Sequence, residues 1–250
     1  MKPIYTIDDV ISNLDTIIEE SILDHNPLGY FAALYRKVTV KVKEGILSNF
    51  FDDGSRMEKL DVIFASRYLH AYFAYKNQQP TTESWKKAFD VSKKYWPIVL
   101  QHLLMGMNAH INLDLGIATA EVAKDQNIED LKDDFNKINE ILSSLVLEVE
   151  RDLAEIWPTW HKILKLTRNI DDFLIDFSME IARDGAWKFA NNIADSSEDQ
   201  LQKHIEERDE KVIKNANFIT NPGWIVKLVM GVIRLGELGS VADKIKDLKN

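Results

Sequence analysis

Gln101 to Ala118 reads QHLLMGMNAHINLDLGIA. The run is helical in character and mostly apolar, yet His102, Asn108, His110, Asn112 and Asp114 interrupt it. A helix that is apolar nearly all round belongs at the centre of a bundle rather than on its surface. Each polar group buried there costs roughly 1–3 kcal/mol unless it finds a partner. The stretch therefore predicts an all-α protein with a buried central helix, and it marks where any chemistry should sit.

Working outward, helical periodicity continues on both sides. Thr6 with Asp9 marks a helix start, and the pattern runs to about His25. Asn26-Pro27 opens a second helix that reaches about Phe51. Asp52-Asp53-Gly54 is a turn, and Ser55 with Glu58 predicts a capping box for a third helix ending near Lys76. Pro80-Thr81-Thr82 starts a short fourth, and Trp96-Pro97 opens the central one, which runs to about Asp125.

Past Asn127, residues Ile128, Leu131, Phe135, Ile138, Leu142, Leu145 and Val149 alternate at spacings of three and four. That is a heptad seam, sustained to about Ile156, and it fits either the interior of a bundle or a homodimer contact. Trp157-Pro158 ends it. A short element near Trp160 to Leu166 follows, then helices near Ile170 to Ala194, Ser197 to about Ile219 and Trp224 to Glu237, and a turn from Val241. The best strand candidate, Lys37 to Val42, sits between helical flanks and is read as helix. The expectation is one domain over 1–250, a bundle of about eight or nine helices.

Composition narrows the function classes. The net charge is −9, from 40 acidic against 31 basic residues, which disfavours contact with nucleic acid. Zero cysteines excludes disulfides, thiolate metal sites and cysteine nucleophiles. The N-terminus lacks a signal-peptide pattern. Trp224 to Leu235, broken by Lys227 and Arg234, is too short and charged to span a bilayer, and core packing fits it better than membrane docking. A soluble, cytoplasmic protein is expected.

On the central helix His110 and Asp114 are four apart and share a face. His102 lies about two turns earlier on nearly the same stripe, with Gly106 between them leaving room for a close approach. His102, His110 and Asp114 could hold a divalent metal if another helix completed the shell. The same residues could instead close a buried hydrogen-bond network or touch substrate directly. Asn108 and Asn112 form a second polar line. Arg67, in LDVIFASRYLHAYF, falls partly on the inner face and needs an anion: Asp114 itself, or a carboxylate or phosphate on a ligand. Asp172, Asp176 and Glu180 follow at successive fours, and Arg183 and Trp187 continue that line. Asp171-Asp172 with Asp176 resembles the aspartate-rich magnesium string of helical terpene synthases, but the second magnesium motif of those enzymes is missing. Phosphate loops, the G-x-S-x-G elbow and H-E-x-x-H are absent.

The string GMNAHIN at 106–112, followed by Asp114-Leu115, resembles the signature of an uncharacterised bacterial family, a domain of unknown function. The resemblance extends to FFDDGSRMEKLDVIFASRYLHAYF, LQHLL and ARDGAW, roughly residues 30 to 195. It implies recurring polar residues at Asp61, Arg67, His102, Asn108, His110, Asn112, Asp114 and Arg183, and no activity.

The leading expectation is a hydrolase-like enzyme for a small polar or anionic substrate. His110, Asp114 and Asn112 are its candidate catalytic residues, and Arg67, Asn108 and Arg183 its substrate contacts. The alternatives are a non-catalytic module for a small molecule or lipid, and a purely structural network.

Overall fold

The computed structural model describes residues 1–124, 126–157 and 179–249. Every regular element among them is helical. Helix α1 spans Ile7–Leu23, α2 Gly29–Leu47, α3 Gly54–Lys76 and α4 Glu83–Asp90. A central rod follows: α5 (Val99–Ala109), a π-helical turn (His110–Asp114) and α6 (Leu115–Val122). After it come α7 (Lys132–Ile156), α8 (Met179–Ile193), α9 (Glu198–Thr220), α10 (Trp224–Gly236) and α11 (Val241–Lys249). The element expected near Trp160 to Leu166 and the start of the one near Ile170 lie outside the described residues.

Local chemistry explains most boundaries. The Thr6 hydroxyl accepts from the Asp9 amide at 3.2 Å, and the Asp9 carboxylate accepts from the Thr6 amide at 3.0 Å. This reciprocal cap fixes the start of α1. The start of α3 differs from expectation. Asp53 is the cap, accepting from the Arg56 amide at 2.9 Å, while Glu58 reaches across to the Ile7 amide at 3.2 Å. The β-branched run Lys37 to Val42 lies inside α2. Its Thr39 hydroxyl donates to the Tyr35 carbonyl at 3.0 Å, and the buried Lys37 pairs with Asp152 of α7. Tertiary burial overrides strand propensity there.

Two helices are capped from elsewhere in the chain. The Asp209 carboxylate of α9 accepts from the Glu83 and Ser84 amides at 2.8 and 3.1 Å, closing the start of α4. Glu237, just past α10, accepts from the Val99 amide at 2.7 Å at the start of α5. Both carboxylates sit at the positive end of a helix dipole.

The central rod contacts α2, α3, α4, α8 and α9 and is buried along most of its length, as its composition requires. Gly106 allows the closest approach: a Cβ there would lie 2.4 Å from the Phe31 ring of α2. At Gly116 a Cβ would lie 2.7 Å from Phe189 and 2.9 Å from the Ala186 carbonyl of α8. The seam of α7 turns inward: Leu131, Phe135 and Leu145 are buried within the chain, and Ile138, Leu142 and Val149 border an internal cavity. The seam therefore contributes to packing within the chain.

Helix α10 departs from the core packing expected of it. Val226, Met230 and Ile233 are buried, but Trp224, Ile225, Leu228, Val232 and Leu235 face outward. Among the described residues no single helix is long and apolar enough to cross a membrane.

Candidate functional site

Within the rod the Leu115 amide donates to the His110 carbonyl, five residues back, so one extra residue is wound into this turn. Such turns give up regular α geometry and recur at functional sites. This one carries His110 at its first position and Asp114 at its last. Sequence periodicity alone gives a continuous α-helix here and does not reveal the wider turn.

Asp114 is the hub. Its Oδ1 accepts from Arg67 Nε of α3 at 2.8 Å, and its Oδ2 accepts from Trp85 Nε1 of α4 at 2.7 Å. His110 Nδ1 lies 3.2 Å from the same Oδ2. Burial pushes the Asp114 carboxyl up, but Arg67, His110 and Trp85 together hold it below the usual carboxylate range. An ionised carboxylate only accepts, so Nδ1 carries the hydrogen and Nε2 is left with its lone pair. The His110 ring stacks on Phe64 at 3.6 Å and meets Tyr35 edge-on at 4.5 Å. Burial lowers its pKa, against the opposing pull of Asp114, so the imidazole is neutral near pH 7. Nε2 is buried and has no hydrogen-bond partner.

His110 borders a cavity of about 230 Å³. Phe31, Leu34, Leu104, Met107, Leu142 and Leu145 give it walls that are almost wholly apolar, with Arg183 and Glu150 as the charged exceptions. A smaller lobe of about 50 Å³ shares Tyr35, Val38, Phe64, Leu115, Ile138 and Arg183 with it and adds Asp61. Asp61 Oδ2, the Tyr35 hydroxyl and Arg183 Nε are each buried without a partner. Burial, with Glu58 nearby, pushes the Asp61 carboxyl up to about 7.

The structure brings His110, Asp114 and Arg67 together and places Arg183 on the same void. Arg67 is committed to Asp114 through Nε, the structural pairing rather than the ligand contact. Asn108 and Asn112 face another way. The Asn112 amide donates to Asn108 Oδ1 at 3.1 Å, and the Asn108 amide donates to the Val212 carbonyl of α9 at 3.0 Å. They close a network against α9, away from the cavity. His102 packs edge-on to Tyr30 at 5.4 Å, and burial lowers its pKa to about 3. Eight residues of helix separate it from His110 by about 12 Å, too far for one ion to bridge. Among the described residues no three His, Cys, Asp or Glu side chains converge on a metal position. Glu180 is exposed, and Asp171, Asp172, Asp176 and His161 lie outside the described residues.

Sequence reasoning left out Tyr35 and Trp85 as site residues and named Asp61 only through the family resemblance, without a role. Asp61 had a readable signal: it stands on the α3 stripe of Met57, Leu60, Phe64, Ala65 and Tyr68, where a carboxylate is out of place. Tyr35 and Trp85 look like ordinary core aromatics until their polar atoms are located.

The fold and site define a class: all-helical proteins with a buried histidine–aspartate pair in a π turn, opening on an apolar cavity. The chain belongs to a family of unknown function, DUF5995, which matches residues 7–222. No curated protein and no solved structure matches it.

Proposed function

We propose that the cavity binds a largely apolar small molecule and that His110 serves there as general base in a hydrolytic reaction. One observation carries this reading: the His110 Nε2 lone pair is buried and unpartnered and Nδ1 is fixed by Asp114, on a residue that lines the cavity. A core histidine kept only for packing would normally have both nitrogens satisfied. The apolar walls favour a substrate less polar than composition suggests, and a polar or anionic part is confined to one end.

The residues supply defined steps. His110 Nε2 takes a proton from a water, whose oxygen attacks an acyl carbon of the substrate. Asp114 stabilises the imidazolium that forms, and Arg67 and Trp85 keep Asp114 ionised and oriented. The imidazolium then returns its proton to the departing oxygen. No serine or threonine lines the cavity beside His110 among the described residues, and water is the nucleophile in this scheme.

Hydrolysis of p-nitrophenyl octanoate between pH 4 and 9 tests the proposal. The base must be neutral, so kcat/KM should fall on acidification through a pKa below 6.5. His110→Gln should lower kcat at least about 100-fold, the lower end for a lost general base. Leu104→Trp, which fills the cavity, should raise KM. Absence of turnover, or an undiminished rate in His110→Gln, overturns the reading.

A further inference from the structure

Three buried polar groups on the smaller lobe have unmet hydrogen-bonding capacity, and they come from three different helices. Arg183 of α8 is 5% exposed and makes no ion pair among the described residues. Its Nη2 donates to the Phe135 carbonyl and its guanidinium lies 4.4 Å over the Phe135 ring, yet Nε has no partner. Tyr35 of α2 and Asp61 of α3 each present an unpartnered oxygen. A buried cation without a counter-ion is strongly penalised, and each unmet polar atom adds to the cost. Retaining all three around one void makes physical sense if something anionic completes them.

We propose that this lobe holds the carboxylate of a fatty-acid-like ligand, bound by Arg183, Tyr35 and Asp61, with its hydrocarbon chain in the larger apolar lobe. The proposal deepens the cavity reading above and rests on it. Charge selects the head group. One guanidinium balances one negative charge, whereas a phosphate monoester would bring nearly two into a space of about 50 Å³. The groups that face Asp61 are Glu58 on its own helix, Tyr35 from α2 and Arg183 from α8. With its carboxyl held up near 7, Asp61 is protonated in mildly acidic solution and donates to the ligand rather than repelling it. The apolar residues of α5 and α7 then take the chain, and His110 lines the larger lobe beside Tyr35 and Phe64, which border both.

Isothermal titration at pH 6 with dodecanoate and with dodecan-1-ol separates the head-group claim from the cavity claim. Dodecanoate should bind wild-type protein at least tenfold more tightly than the alcohol. Tyr35→Phe and Arg183→Gln should each erase most of that preference while leaving alcohol binding within about threefold. Circular dichroism establishes that each variant is folded, and if Arg183→Gln is not, Tyr35→Phe decides. Equal affinity for the two probes, or a preference that survives in the folded variants, overturns the carboxylate assignment and leaves the apolar cavity standing. Failure of both probes to bind overturns the two together.

Discussion

Asp61 and His110 line two neighbouring cavities that share Tyr35, Phe64 and Arg183, and burial pushes their pKa values in opposite directions, so that His110 is neutral near pH 7 and Asp61 is protonated in mildly acidic solution. For Asp61 the folded-state value, about 7, lies above the ordinary value of 3.8 for an exposed aspartate. The folded protein therefore binds the extra proton more tightly, and that contribution to stability is lost as pH rises from 3.8 to about 7. Asp61→Asn removes the titration. Urea denaturation should show the variant and wild type nearly equal at pH 4 and the variant more stable at pH 8, by on the order of a few kcal/mol. His102 acts in the other direction, since its folded value of about 3 makes stability fall as pH drops below 6.5. Both proteins share that effect, so it cancels in the difference. At this scale the sequence was partly legible. The His110–Asp114 spacing of four identified a pair, and Arg67 was recognisable as needing an anion. Spacing could not tell which face of the rod met α9 and which met the cavity, because every face of a central helix is covered. Asn108 and Asn112 were therefore grouped with His110 although they serve another contact.

Helix boundaries were the most legible elements where the cap lies within a few residues of the helix it serves, as Thr6 and Asp9 show. They were least legible where the cap is distant. Asp209 is 126 residues from the Glu83 amide it receives, and no local pattern announces it. Helix α4 has only eight residues and no side-chain cap of its own, so it depends on that carboxylate. Asp209→Ala should cost about 1–2 kcal/mol in global stability, within the range for lost caps. The loss should concentrate in α4, where hydrogen exchange of the first-turn amides should accelerate more than in α1 or α9. Gly106→Ala probes the neighbouring contact. Its Cβ would collide with Phe31, and overpacking of this kind costs about 1–3 kcal/mol. Thermal unfolding should report that loss, even though alanine is the better helix former at an unconstrained position.

For the whole molecule, the balance of 40 acidic against 31 basic residues sets up a repulsion between like copies. The outer face of α10 works against that repulsion. Trp224 is 77% exposed and Leu235 74%, and Tyr95 and Trp96 are exposed in the segment Arg234 reaches through the Tyr95 carbonyl. Apolar area of this extent dominates retention on a hydrophobic matrix. Replacing Leu228 and Leu235 together by Glu should shorten retention markedly while moving Tm by no more than a few degrees, because neither side chain is buried. An unchanged retention would show that the strip is covered in solution. The all-helical class was legible throughout, from periodicity and the apolar central stretch. The two-sided character of α10 was not, since a helix whose apolar residues are interrupted only by Lys227 and Arg234 reads the same whether one side is covered or both are.

The single extra residue in the 110–114 turn makes chain length itself a constraint. Deleting one residue between His110 and Asp114 would return the rod to uniform winding and leave α5 and α6 close to their present register, so the change would fall on the turn itself. The spacing of His110 and Asp114 would fall from four to three, changing the angle at which the His110 Nδ1 meets the Asp114 carboxylate. In a deletion scan of the gene this stretch should tolerate conservative exchanges better than any change of frame-preserving length.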